Sequence, residues 1–226
     1  METTAARDRY VAVQREFAAH ILAGETTLRV PACPEWTVRH LLAHQVHQLQ
    51  GFAAGDFPVE AAIAAIHGRT RAERAAARAR QDSWIDAGVS SLLRLDVDEL
   101  VHEWSSRIRT TDDGVLEVLL PDVTVHLLDL CGALGCLDHR QMSAVEDALA
   151  YWSEQAAARL QASGGGSFAT APSTADVVLE GSPYEVLRAL TGRRTRHEVA
   201  KLQRKGAADA LDDIAIYDFA PRTIGE

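Results

Sequence analysis

Apolar residues recur every three or four positions along roughly the first 160 residues of the chain, a spacing typical of amphipathic helices. Thr37 is suited to begin a helix that runs to about Gln50. Pro121 is expected to begin another that runs to about Gly135, because proline is tolerated at the first helical position. Further helices are predicted over TAARDRYVAVQREFAAHIL, VEAAIAAIHG, RAERAAARARQDSWIDAGVSSLLRL, DVDELVHEWSSRI and SAVEDALAYWSEQAAARLQA. Helices of these lengths suit an antiparallel bundle.

The pattern changes after the last of these helices. SGGGSFATAPSTA is rich in glycine and serine and predicts a linker. DVVLEG predicts a strand, SPYEVLRALTGR a helix with Ser182 and Glu185 as its capping box, and DDIAIYDF a second strand. We therefore predict a mainly α chain with a helical domain over 1–162, a linker over 163–175 and a small α/β domain over 176–226.

Composition and charge limit the classes of partner. The chain has 226 residues and a net charge of −9, which argues against a nucleic-acid or anionic-membrane partner. No apolar run is long enough to span a bilayer, and METTAARDRY lacks the apolar segment of a signal peptide. We therefore expect a cytoplasmic protein with no membrane partner. The three cysteines are too few and too odd in number for a disulfide framework.

Three histidines share one face of the helix predicted from Thr37. They are His40, His44 and His47. The apolar positions of this helix lie on the opposite face and are Val38, Leu41, Leu42, Val46 and Leu49. One interpretation is a solvated polar face. The other is a metal site, because imidazole is the commonest neutral metal ligand in proteins.

The segment PDVTVHLLDLCGAL is apolar in nearly every direction, which predicts a helix buried on most sides. Within it, Asp122, His126 and Asp129 form one narrow stripe at spacing i, i+4 and i+7. A buried carboxylate and imidazole need a partner. A metal ion would satisfy Asp122 and His126, with Asp129 bonded to the other ring nitrogen of a ligand. Alternatively, Asp122 stabilises the helix N-terminus, and His126 and Asp129 form a hydrogen bond of their own.

Adding His44 to this stripe gives two imidazoles and one carboxylate. Three protein ligands leave coordination positions open, as in catalytic metal sites, and zinc or another divalent ion suits these donors. A zinc site of Cys131 and Cys136 with His126 is a second possibility, although both cysteines lie off the stripe. Cys33 precedes a proline and is expected to pack rather than react. No phosphate-binding glycine loop and no nucleophile elbow occurs in the sequence.

Several segments together are similar to one known family. VPACPEWTVRHLLAHQVHQ resembles a motif of the mycothiol-dependent maleylpyruvate isomerase family, which belongs to the DinB-like superfamily of metal-binding four-helix bundles. DVTVHLLDLCGALG resembles the family's second motif, in which a carboxylate lies four residues before a histidine. VVLEGSPYEVLRALTGR and YDFAPR resemble the start and end of its small C-terminal α/β domain. The motifs follow the family's order over most of the chain.

The resemblance implies a DinB-like four-helix bundle followed by a small α/β domain. It implies a divalent metal, Zn²⁺ being favoured, with His44, Asp122 and His126 as ligands. Asp122 departs from the family pattern, because relatives usually have a glutamate there and aspartate is one methylene shorter. It also implies mycothiol as thiol cofactor or cosubstrate and a small electrophilic substrate.

Arg193 matches the basic residue of the family's C-terminal motif and is the candidate catalytic residue that would hold a substrate carboxylate. Arg194 and Arg222 are alternatives for this role. The competing interpretation of Arg193 is a solvated arginine at a helix end with no catalytic role. The implied activity is cis–trans isomerisation by an activated thiolate, or thiol S-transfer on the same scaffold. The competing hypothesis is a non-catalytic or ligand-binding bundle with a degenerate metal site.

Overall fold

The computed structural model describes residues 6–136, 138–162, 164–171 and 173–224. These residues divide into two compact units. The N-terminal unit consists of the ranges 6–61 and 79–139, and the C-terminal unit of the ranges 62–78 and 140–224. The chain is mainly α-helical with a small α/β region near its C-terminus, as the sequence predicts. None of the helices in the described ranges is both long and apolar enough to cross a membrane.

The helices, in chain order, are α1 (Ala6–Ala23), α2 (Val38–Ala54), α3 (Val59–His67), α4 (Arg71–Leu92), α5 (Val97–Thr110), α6 (Asp113–Leu134), α7 (Ser143–Ala162), α8 (Pro183–Leu190), α9 (Arg196–Leu202) and α10 (Ala210–Ile214). A short 3₁₀ helix covers Asp138–Gln141. The strands are β1 (Arg29–Val30), β2 (Cys33–Thr37), β3 (Phe168–Ala169), β4 (Val177–Leu179) and β5 (Gln203–Lys205).

Four helices of the N-terminal unit form a bundle. α1 packs against α5 and α6, and α2 packs against the same two helices. The core contains Tyr10, Phe17 and Trp104, all fully buried, with the Phe17 and Trp104 rings edge to face at 5.2 Å. The apolar face predicted for α2 is buried, so burial of this face holds α2 in the bundle. The antiparallel pair of β1 and β2 leads into α2.

Several helix starts follow the capping residues seen in the sequence. α2 begins directly after Thr37. The Asp96 side chain accepts a hydrogen bond from the backbone N–H of Glu99, and the Glu99 side chain accepts one from the N–H of Asp96. The Ser182 hydroxyl accepts from the N–H of Glu185. These contacts satisfy backbone donors that the first turn of a helix leaves unpaired.

The predicted start of a helix at Pro121 is wrong. α6 begins at Asp113, eight residues earlier, and the Asp112 side chain caps it by accepting from the N–H of Gly114. Pro121 lies inside the helix, where it lacks the N–H that would bond to the preceding turn. Asp122 therefore lies in the middle of α6. The interpretation in which Asp122 stabilises a helix N-terminus is therefore excluded.

The C-terminal unit contains a three-stranded sheet in the order β3-β4-β5. β3 pairs parallel with β4, and β4 pairs antiparallel with β5. α7 packs against α8, α10 and β3. The contacts thus group α7 with the C-terminal elements, whereas the division drawn from the sequence placed it with the N-terminal helices. That division at 163–175 stays a prediction.

The second strand predicted over DDIAIYDF is wrong. Its first residues form the end of α10, and Leu211 and Ile214 are buried from one face of that helix. The backbone carbonyls of the next two residues accept hydrogen bonds from an arginine side chain and not from a neighbouring strand. Arg159 of α7 donates to the carbonyls of Ala215 and Ile216 at 2.6 and 3.1 Å. The strand that pairs antiparallel with β4 is β5, whose Gln-Arg-Lys sequence has no apolar alternation to indicate it.

Candidate metal centre

Two neighbouring helices of the bundle carry a cluster of polar residues. α2 carries His44 and, one turn later, Gln48, while α6 carries Asp122 and, one turn later, His126. His44 and His126 are 3% and 7% exposed, so the surrounding bundle removes them from water. The Asp122 side chain is 22% exposed and gives the cluster access to solvent. We call His44, Asp122 and His126 the His44 centre.

The three donors of the His44 centre converge. His44 Nε2 lies 3.7 Å from Asp122 Oδ2, and His126 Nε2 lies 3.7 Å from Asp122 Oδ1. One donor atom of each residue lies within 4.8 Å of the other two. Zn²⁺ holds such ligands at about 2.0–2.2 Å, so two of its ligands are at most about 4.0–4.4 Å apart. Both 3.7 Å separations fit this limit and are too long for direct hydrogen bonds.

Asp129 orients one of the imidazoles. Its Oδ2 lies 3.0 Å from His126 Nδ1, one turn further along α6. A proton on Nδ1 then serves this hydrogen bond and leaves the lone pair of Nε2 directed toward Asp122. This arrangement of carboxylate and imidazole is common at metal-binding histidines. The donor set of the His44 centre therefore fits a divalent metal ion.

The protonation of these groups also suits a cation. Burial lowers the pKa of His44, which keeps its ring neutral near pH 7, although Asp122 acts in the opposite direction. Burial would raise the pKa of the Asp122 carboxyl. The neighbouring His126 and His44, helped by the amide of Gln48, instead hold that pKa well below its ordinary value. The centre therefore combines a neutral imidazole with a negative carboxylate.

Gln48 is a component of this site that the sequence did not reveal. Its Nε2 lies 2.8 Å from His44 Nε2 and donates to Asp122 Oδ2 at 2.9 Å. Its Oε1 is buried without a hydrogen-bond partner among the described residues. The only signal in the sequence is that Gln48 follows His44 by four residues, which places both on one face of α2. In this structure the amide connects the two helices of the centre.

Trp36 and Cys33, both on β2, also lie beside the centre. The Trp36 ring is 5.1 Å from the His44 ring and 6.3 Å from the His126 ring, between centroids. The Cys33 sulfur lies within 4.8 Å of donor atoms of His126 and Asp129. The sequence indicated CPEWT only as a helix entry and family motif. β2 pairs antiparallel with β1.

The other two histidines of α2 have separate contacts. His40 Nδ1 accepts a hydrogen bond from the backbone N–H of Thr37 at 3.3 Å and lies 2.7 Å from the Thr37 hydroxyl. His47 stacks on Trp84 at 3.8 Å between ring centroids, and its Nε2 lies 3.2 Å from the Trp84 carbonyl oxygen. His40 therefore caps the start of α2, and His47 packs against α4.

Arg193 lies in the C-terminal unit, after α8. It is 9% exposed, donates to the carbonyl of Thr191 at 2.6 Å and lies over the Tyr217 ring at 5.7 Å. Arg194 is paired with Glu185 at 2.9 Å, and Arg222 is exposed. Because of this burial and these contacts, Arg193 is not a solvated arginine at a helix end. Its assignment as a catalytic residue stays a prediction.

A cavity of about 530 Å³ lies in the C-terminal unit and was not predicted. Five arginines line it together with aspartates and Tyr217, the ring under Arg193. The arginines are Arg69, Arg71, Arg74, Arg78 and Arg159. Such a lining suits an anionic group. The cavity is not evident from the sequence because these arginines come from two distant segments of the chain, 69–78 and α7.

The fold and the site define a class of protein, namely a four-helix bundle with a candidate site for a divalent metal on two of its helices. The model of the mycothiol maleylpyruvate isomerase N-terminal domain matches residues 9–131, more than half of the chain, and the chain belongs to that family. The match includes His44, Asp122 and His126. No curated protein and no solved structure matches the chain. The resemblance of the C-terminal segments stays a prediction.

Proposed function

We propose that the protein is a metal- and mycothiol-dependent enzyme that uses an activated thiolate on a small electrophilic substrate. The reaction is a cis–trans isomerisation of the maleylpyruvate type or a thiol S-transfer. The observation that carries the proposal is the convergence of His44, Asp122 and His126 in a bundle that belongs to this family. Zn²⁺ is the proposed metal because two imidazoles and a carboxylate leave an open coordination position.

His44, Asp122 and His126 would hold the metal, with Asp129 fixing the ring of His126. When bound, such an ion lowers the pKa of a coordinated thiol, so that a thiolate persists at neutral pH. The chain contributes the remaining features of the site. The Trp36 ring lies beside the two imidazoles, and the Asp122 side chain is 22% exposed to solvent.

The isomerisation needs no redox partner. The thiolate adds to a cis carbon–carbon double bond conjugated to carbonyl groups, and the electron pair of that bond moves toward the carbonyls. Rotation about the resulting single bond and expulsion of the thiolate leave the trans isomer and return the thiol. Arg193 is proposed to hold a substrate carboxylate by bidentate hydrogen bonds. Its guanidinium donates to the carbonyl of Thr191.

Dependence on added thiol tests this function. Zinc-loaded protein is mixed with maleylpyruvate, with and without mycothiol, and loss of the cis isomer is followed by chromatography. A second electrophile, such as a haloarene, is used to detect S-transfer. We expect at least one of the two substrates to be turned over, and only when thiol is present. Asp122→Ala should abolish this turnover, whereas the matched helix-cap variant His40→Ala should keep it. Turnover that is equal without thiol would refute the thiolate mechanism.

A second candidate function is a non-catalytic bundle that binds a ligand and no metal. It is favoured by Gln48, whose amide bridges His44 and Asp122 and so satisfies both without an ion. The two candidates differ in zinc content. A protein that stays metal-free after incubation with excess zinc belongs to the second class, whereas one that retains zinc through Asp122 belongs to the first.

A further inference from the structure

A second cluster of metal-binding side chains lies in the N-terminal unit, near the C-terminal end of α6. Cys131 is in the last turn of α6 and is 3% exposed. His20 is in the last turn of α1, and His139 is in the 3₁₀ helix that follows α6. One donor atom of each residue lies within 4.8 Å of the other two. We call His20, Cys131 and His139 the His20 cluster.

The His20 cluster is distinct from the His44 centre. Cys131 follows His126 by five residues, which on an α-helix is about 7.5 Å of rise and about 140° of rotation. The two residues therefore leave α6 at different heights and in different directions. Cys131 groups with His20 and His139, and among the described residues no metal-binding group of three joins it to His126. The zinc site considered from the sequence, with both cysteines beside His126, is not formed.

The two imidazoles of the cluster face each other through nitrogen atoms. His20 Nε2 lies 3.2 Å from His139 Nε2, with the rings edge to face. Two nitrogen ligands at about 2.0–2.1 Å from a tetrahedral Zn²⁺ are about 3.3 Å apart, close to this separation. His139 Nε2 also lies 3.2 Å from Glu16 Oε2, and His139 Nδ1 is buried without a hydrogen-bond partner in the described ranges.

Sulfur gives the cluster a preference for soft cations. Cys131 supplies one sulfur among the donors, and Cys136 Sγ lies 3.8 Å from His20 Nδ1, on the other edge of that ring. Thiolate and imidazole together favour Zn²⁺ or Cu⁺ over Mg²⁺ and Ca²⁺, which prefer oxygen. The His44 centre has no sulfur donor among its three residues. The two groups therefore differ in ligand chemistry as well as in position.

We propose that His20, Cys131 and His139 form a second metal site, which takes a thiophilic divalent cation such as Zn²⁺. The bound ion joins the end of α1, the end of α6 and the segment that carries His139. This site is separate from the one used in the proposed function, and it stands or falls independently of enzyme activity.

Cobalt binding tests the second site, because thiolate ligands give Co²⁺ an intense charge-transfer absorption in the near ultraviolet. Co²⁺ is titrated into the full chain carrying His126→Ala and Cys33→Ser, which removes the His44 centre and the thiol beside it. We expect one equivalent to bind with this absorption. Adding His139→Ala should abolish it, while His197→Ala, a matched change of an exposed histidine on α9, should leave it unchanged. No thiolate band, or a band that survives His139→Ala, would overturn the proposal.

Zinc content provides a second measurement that leaves the His44 centre and the buried Cys131 intact. After incubation with excess zinc and removal of the unbound ion, the unmodified chain should retain two equivalents. His139→Ala should retain one, and His197→Ala should retain two. Equal zinc content in the unmodified chain and in His139→Ala would contradict the second site, whatever the activity of the protein.

Discussion

The His44 centre and the His20 cluster both use α6, but the chain assembles them differently. In the His44 centre, Asp122 and His126 come from adjacent turns of one helix, and a third donor comes from the neighbouring helix α2. In the His20 cluster, each donor comes from a different element. A spacing of four residues within one helix can be read from sequence. Donors from three elements meet only when the chain is folded, so their relation is invisible in the sequence.

The two groups also differ in the contacts that orient their histidine rings. His126 is oriented by Asp129 within its own helix, whereas His20 and His139 orient each other across two elements. We therefore expect the His44 centre to keep its geometry without metal and the His20 cluster to depend on the ion for it.

The largest effect is expected from Asp129→Asn. The change keeps the size of the side chain but removes the negative charge that orients the His126 ring. Loss of such a partner lowers metal affinity by about 10–100-fold. Zinc affinity measured by chelator competition should fall by this factor, while the cobalt–thiolate band of the His20 cluster stays. An unchanged zinc affinity would show that Asp129 has no part in the His44 centre.

The next effect is expected from Gln48→Met, on stability rather than on metal affinity, and it should depend on metal. Without the amide, the buried His44 and the carboxylate of Asp122 lose their shared donor. Leaving such groups unsatisfied costs about 1–3 kcal/mol. The free energy of unfolding of the metal-free protein in urea should fall by about this amount, and by less in the zinc-loaded protein. Equal losses in both forms would mean that Gln48 contributes only packing.

The smallest effect is expected from His40→Ala, the third histidine of the α2 stripe. His40 accepts from the backbone of Thr37 at the start of the helix, away from the ligands. Loss of a helix cap typically costs about 1 kcal/mol of stability. Thermal unfolding should show a small decrease in melting temperature, and zinc affinity should not change. A loss of bound zinc in this variant would make His40 a ligand and revise the composition of the site.

The sequence predicted most of the helices because their apolar faces and capping residues are local signals. Thr37, Asp96 and Ser182 mark helix starts in the structure. It failed at Pro121, because proline inside a helix is less common than at its start, and α6 continues through it. It also failed at β5, whose polar residues give no alternating pattern.

The candidate site shows the same division. The pairing of Asp122 with His126 is a local spacing, whereas His44 was added as a third donor from another helix. The assignment of these residues as ligands stays a prediction. Gln48 and Trp36 were missed, because a glutamine on a polar helix face and a tryptophan before a helix are also common in segments that contain no functional site. Their contacts with His44 depend on how α2, α6 and β2 pack.

The claim that the His44 centre binds a divalent metal has one direct test. The chain carrying His139→Ala, which removes the second site, is incubated with excess zinc, separated from unbound ion and subjected to elemental analysis. We expect one equivalent of zinc per chain, and close to none when Asp122→Ala is added. Protein that remains metal-free, or that keeps the same zinc content after Asp122→Ala, would contradict the account.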